Sequence, residues 1–316
     1  MPAFSHRIVW AIDPFSEDLG LGKRTARAVA ALARQRGSEV EPVYLVGRLA
    51  AAAELIPFPA IATQAEAELR LERLLRGVEL PGLKPVRVIQ AEGTGLRGQV
   101  DALVSYARES EADVVAVGTR ARSGLERLLL GSFAETLLHH CDIPLFVINP
   151  SEATPAVIRN ILFPTDFSAE SRQAFDQVIE LAKEIDARVT VYHAVQFDVA
   201  PWVDPGLVAL PVWSEMLRET VEERREDADD WVKIAESRGA EATFVVEHTG
   251  VRAAADTILA RAKRGTIIAL AARSGAVAAA LLGSVTRQVL RKSLVPVWVV
   301  HPTRPRRTAA RPRRAA

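Results

Sequence analysis

Short apolar runs rich in β-branched residues alternate along this chain with longer segments whose apolar residues recur every three or four positions. The runs Arg7–Ile12, Glu39–Val46, Pro85–Gln90, Asp113–Gly118 and Pro144–Ile148 read as strands. Their near-continuous hydrophobicity is that of parallel strands covered on both faces. Helical spacing fills the intervals at about Leu19–Arg36, Thr63–Gly77, Leu96–Ser110 and Ser132–His140. The same order then recurs, with strands near Asn160–Pro164, Arg188–Val195, Glu241–Glu247, Gly265–Leu270 and Pro296–Val300. A long helix over about Pro211–Arg238 sets Leu217, Val221, Ala228, Trp231 and Ala235 on one face, the spacing of core packing. Alternating strands and helices joined by short turns predict an α/β fold with doubly wound, five-stranded parallel sheets.

The recurrence is a duplication. Asp13 and Asp166 stand 153 residues apart, each after an apolar run and before a serine-containing turn. At an offset of 152, Leu129-Leu130-Gly131-Ser132 matches Leu281-Leu282-Gly283-Ser284, and Pro144, Val147 and Pro150 match Pro296, Val299 and Pro302. Two tandem units follow, residues 1–150 and 151–302, each expected to fold around its own sheet. Ser151–Ala156 is a short linker, so the units are expected to pack closely. Residues 303–316 have no hydrophobic pattern and read as a disordered, arginine-rich tail.

Charge alters the picture at that tail alone. The formal net charge of the 316 residues is +1, but six arginines lie beyond residue 303, so the body is net acidic. Such a body attracts no nucleic acid unless basic residues gather locally, and no specific nucleic-acid partner is expected. The single cysteine, Cys141, excludes an internal disulfide framework and fits a reducing compartment. No signal peptide and no run of eighteen apolar residues is visible, so a cytoplasmic protein without membrane contact is expected.

In an open parallel sheet, ligands lie beyond the carboxyl ends of the strands. Three features of the first unit fall there: Asp13 after the first strand, Gly118-Thr119-Arg120 after the fourth, and Gly131-Ser132 opening the last helix. Unpaired N–H groups at a helix start favour an anion such as phosphate. The same residue types also serve as ordinary helix caps. The second unit offers Asp166, Gly283 and Ser284 more weakly. His139-His140-Cys141-Asp142 crowds metal-ligating residue types, but neighbours on a helix point apart, so no metal site is expected. His193 reads as a packed or hydrogen-bonded histidine near the cleft. Two connections, Gly47–Ala60 and Phe197–Leu210, are long and apolar, and the second would cover a pocket, meet a partner or pack on its own sheet edge.

The stretch VVAVGTRARSGLERLLLGSFAETLLHHCDIPLFVI resembles the carboxyl-terminal signature of the universal stress protein family. NILFPTDFSAESRQAFDQVIELAKEIDARVTVYHAV resembles that family's first strand, helix and second strand, and together the resemblance covers about residues 5–302. It implies a tandem, non-enzymatic stress-response protein on an adenine nucleotide α-hydrolase-like fold. ATP or a related adenine nucleotide is its expected ligand. Nucleotide-binding members carry two glycines three apart, then Gly-Ser or Gly-Thr, and an aspartate after the first strand that holds the nucleoside. Asp13, Gly118, Gly131 and Ser132 match this pattern, while Ala121 stands at the middle glycine. In the second unit Leu270 and Arg273 occupy the first two glycine positions, which implies a degenerate site. A nucleotide-free interaction scaffold and a slow ATPase are the rival readings. Members associate through the last strand, so PLFVI and PVWVV are expected to pair within the chain as an intramolecular pseudo-dimer, with a homodimer left open.

Overall fold

The computed structural model describes residues 6–16, 18–46, 64–93, 95–119, 132–149, 156–196, 210–249, 253–272 and 283–301. Their elements are β1 His6–Ala11, α1 Leu19–Arg36, β2 Ser38–Val46, α2 Gln64–Leu75, β3 Arg87–Gln90, α3 Gly95–Glu109, β4 Val114–Gly118, α4 Ser132–His140 and β5 Leu145–Ile148. The second half follows with β6 Asn160–Pro164, α5 Ala169–Ile185, β7 Arg188–Val195, α6 Leu210–Ser237, β8 Ala242–His248, α7 Ala254–Arg261, β9 Thr266–Ala271, α8 Ser284–Lys292 and β10 Val297–Val300. The fold is the doubly wound α/β arrangement that the pattern of apolar runs implied. Among the described residues no helix is long and apolar enough to cross a membrane.

The ten strands form one sheet in the order β3-β2-β1-β4-β5-β10-β9-β6-β7-β8. This corrects the expectation of a separate sheet for each unit. Within each half every pairing is parallel, but β5 and β10 meet antiparallel, with Val297 opposite Val147, Trp298 opposite Phe146 and Val299 opposite Leu145. All four residues of both strands are buried. Two separate sheets would leave two apolar edges with unsatisfied N–H and C=O groups, and joining them removes both edges at once. The expected pairing of PLFVI with PVWVV is thus what fuses the sheets.

Two apolar layers cover the sheet. One holds Val29, Leu32, Phe163, Phe175 and Trp231 under α1, α2, α5 and α6; the other holds Val9, Val43, Val115, Leu137, Tyr192 and Val289 under α3, α4, α7 and α8. Trp231 of α6 packs against Phe167 and Phe175 at ring separations of 5.3 and 4.8 Å, so the long helix buries the stripe assigned to it.

Polar contacts also cross between the halves. The Gln35 side chain donates to the carbonyls of Ile158 and Ile185 at 2.8 and 2.7 Å and accepts from the Ile158 N–H at 2.7 Å. Arg36 pairs with Glu184 at 2.7 Å. Deeper in the seam, Asn149 donates through Nδ2 to the carbonyls of Leu290 and Ser293 at 3.0 and 2.8 Å, while its Oδ1 accepts from the Thr119 hydroxyl at 2.6 Å. Asn149 and Thr119 are buried polar groups that find partners, as the interior demands.

Candidate functional site

The carboxyl ends of β1, β2 and β4 open onto a cleft of about 470 Å³ between α3 and α4. Val43, Leu45, Val46 and Leu96 supply apolar wall, and Asp13, Gln99 and Ser132 supply polar groups. A cavity of this size with few polar groups suits a small organic ligand. The α3 wall sits close because Gly93 and Gly98 touch through their backbones. A Cβ on Gly98 would lie 2.5 Å from the Gly93 carbonyl carbon.

Asp13 stands in the turn after β1, and its Oδ1 accepts the Phe15 N–H at 3.0 Å. The Tyr44 phenol is pushed above its ordinary value, first by burial and then by the Asp13 carboxylate, with Arg70 opposing. Arg70 lies over the Phe15 ring, 4.5 Å from its centroid. Gly118 ends β4 on the cleft wall, where a Cβ would come 2.9 Å from the Thr25 hydroxyl oxygen. Glycine there serves the close passage of α1 as well as the cleft. Asp13, Gly118 and Ser132 are therefore brought together around one cavity. Thr119 turns away from it and bonds to Asn149. The expectations attached to Arg120, Ala121, Gly131, Arg273, the two long connections, the linker and the arginine-rich tail lie outside the described residues.

The second half has the same frame and a different filling. In β1–β2, Ala11 pairs with Val43 and the Ile12 N–H donates to the Val43 carbonyl at 3.0 Å; in β6–β7, Pro164 pairs with Tyr192 and the Thr165 N–H donates to the Tyr192 carbonyl at 2.9 Å. Pro164 and Tyr192 thus stand where Ala11 and Val43 line the first cleft. Tyr192 is fully buried, its hydroxyl 2.9 Å from Glu247 and 2.8 Å from Thr257. Burial and then Glu247 push its pKa up to about 12 against the Thr257 hydroxyl, so the phenol is held neutral. Asp166 accepts from the Ser168 N–H at 3.0 Å and the Ser171 hydroxyl at 2.6 Å. Burial raises its pKa, but these bonds outweigh that and hold it below the carboxylate range. The carboxylate is engaged at the start of α5. Gly283 caps α8, and Ser284 is exposed at its first position.

Sheet register also corrects the assignment of Leu270. Val117 pairs with Val147, and Leu270 pairs with Val299, so Leu270 matches Val117 and Ala271 matches Gly118. The offset is 153 at this strand and 152 at the next, because the β9–α8 connection is one residue shorter than its counterpart. A constant offset read from the sequence misses that step.

Cys141 is buried, and Asp142 pairs outside with Arg108 at 2.9 Å. Among the described residues no group of three or more His, Cys, Asp or Glu could hold a metal ion. The His193 Nδ1 lies 2.7 Å from the Thr165 carbonyl, with its ring against Phe167 at 5.0 Å. Burial holds His139, His193 and His301 below the ordinary histidine value. In the unfolded chain all three take up protons near pH 6.5, before the folded chain does. Their neutral forms therefore stabilise the fold above that pH, and this contribution is lost as pH falls through it towards the folded values. Thermal melts at about pH 7.5 and about pH 5.5 should show a lower Tm at the acidic value, and equal values would contradict this account.

The profile of the universal stress protein family matches residues 5–149 and again residues 158–301. The chain belongs to the universal stress protein family. Universal stress protein MJ0531 of Methanocaldococcus jannaschii is 34% identical over 125 residues, which is 37% of this chain and 68% of that protein. A universal stress protein of Mycolicibacterium smegmatis is 27% identical over 204 residues, covering 60% of this chain and 62% of that one. The crystal structure of a universal stress protein from Archaeoglobus fulgidus superposes with a TM-score of 0.59 at 18% identity, over 94% of this chain and 98% of that one. That likeness shows the fold. The two family-matched halves share one frame and differ at the cleft position of the second strand, Val43 in the first and the buried Tyr192 in the second.

Proposed function

We propose that this chain is a non-catalytic, cytoplasmic universal stress protein that holds ATP or a related adenine nucleotide in the cleft of its first half. The second half serves as a closed structural partner. The observation carrying this reading is the asymmetry at one strand position: Val43 lines a cavity, and at its counterpart stands the larger, fully buried Tyr192. The apolar walls suit a base, and Asp13 would accept from the nucleoside. Ser132, at the start of α4, adds a donor beside backbone groups that favour phosphate. Asp13 is the one carboxylate among the described lining residues, and it sits by the Phe15 turn rather than at α4. Hydrolysis needs a group holding metal or water at the phosphates, so this placement favours binding over turnover.

Calorimetric titration with ATP tests the reading. One saturable site per chain is expected, with affinity falling by about tenfold or more in Asp13→Ala as charge-assisted bonds are lost. Long incubation with Mg-ATP should release no product. No heat and no thermal shift at millimolar nucleotide would sink the proposal in favour of a nucleotide-free scaffold.

A further inference from the structure

Since the body of the chain is net acidic, a place where cations gather without acids stands out. The helix α1 carries Lys23, Arg24, Arg27, Arg34 and Arg36 and no aspartate or glutamate. Its counterpart α5 mixes Glu170, Asp176, Glu180 and Glu184 with Arg172 and Lys183. The fold shared by the two halves therefore does not require the basic stripe. Like charges one turn apart, as at Lys23 and Arg27, weaken a helix, so the stripe carries a cost the fold leaves unexplained.

Lys23, Arg24, Arg27 and Arg34 line a groove of about 760 Å³, joined by Arg264 of the second half. The groove lies on the α1 side of the sheet, opposite the nucleotide cleft. From Lys23 to Arg34 it runs about 17 Å, at 1.5 Å per helical residue. Among the described residues none of these five cations forms an ion pair with a carboxylate; Arg34 donates to the backbone carbonyl of Glu79 at 3.1 Å. The Arg24 Nε is buried with no hydrogen-bond partner among them. Glu79 is the one carboxylate in the described lining.

We propose that this groove binds a linear polyphosphate, a chain of linked phosphates lying along α1. Its length and repeated charge call for a repeating anion rather than a single one. Guanidinium forks match phosphate oxygens in paired bonds. The described lining holds no aromatic side chain on which a base could stack, which sets a single-stranded nucleic acid aside.

The arginine-rich tail is also basic, so the test uses the full chain with Arg304, Arg306, Arg307, Arg311, Arg313 and Arg314 replaced by serine. Titration with a medium-chain sodium polyphosphate at several salt concentrations should show saturable binding. Arg27→Glu combined with Arg264→Glu, both at exposed positions, should weaken it by about tenfold or more and flatten the salt dependence by roughly one unit of slope per cation lost. Circular dichroism and Tm should stay unchanged. Asp13→Ala should leave polyphosphate binding intact, separating this groove from the nucleotide cleft. Absence of binding in the tail-neutral chain, or an unaltered affinity and slope in the charge-reversed one, would overturn the proposal. So would tighter binding of a single-stranded oligonucleotide with the same number of phosphates.

Discussion

Replacing Asn149 with leucine is expected to destabilise the chain by about 3–5 kcal/mol, a large share of what holds an ordinary domain folded. The side chains are close in size, so the loss is one of hydrogen bonds. Asn149 is 8% exposed and serves three groups: the Thr119 hydroxyl and the carbonyls of Leu290 and Ser293. Leucine leaves two carbonyls bare in the seam and a hydroxyl that must turn for a new partner. Because the bonds run from β5 to the end of α8, the damage falls on the junction rather than on one half. Urea unfolding should show the loss, together with a transition that broadens or splits as the halves uncouple. A change below about 1 kcal/mol in a single sharp transition would show that Asn149 does not join them.

Val43→Tyr should abolish measurable nucleotide binding while leaving the chain folded. The substitution copies into the first half what the second half already has at that strand position. Val43 lines the cleft but is itself fully buried in the apolar layer, so the larger ring must push into the cavity beside it. The cost in stability is about 1–3 kcal/mol, since the ring overpacks a buried position and its hydroxyl meets Ile89 where Glu247 receives Tyr192. Titration with ATP beside a thermal melt separates the two effects. Retention of wild-type affinity by a folded Val43→Tyr protein would mean that the ligand does not enter this cleft.

The architecture was legible in the sequence because its signals are local and repeated. Buried parallel strands leave unbroken apolar runs, and bounds such as Leu19–Arg36, Asn160–Pro164 and Arg188–Val195 coincide with the elements formed. Pairing of the last strands was legible because each was an apolar edge in search of a partner. That two sheets thereby become one is a consequence of the same pairing, and the expectation of separate sheets overlooked it. Asp13, Gly118 and Ser132 could be placed around a common cavity from strand ends alone. The distinction between the two clefts could not, since it rests on Val43 and Tyr192 in mid-strand, where any apolar residue satisfies the pattern. The partner of Thr119 was equally hidden: Asn149 lies thirty residues away, and its other bonds reach across 141 and 144 positions. The basic groove is assembled from α1, the turn after α2 and Arg264, and so has no contiguous motif.

The antiparallel meeting of β5 with β10 has a consequence for inheritance. Two identical subunits joined at such a strand would be bound to keep identical pockets, since any substitution appears in both and partners exchange freely. Here the partner is covalently guaranteed and always the other kind. One half could take a large tyrosine at the cleft position, and one helix be given over to arginine, without either change being imposed on its twin.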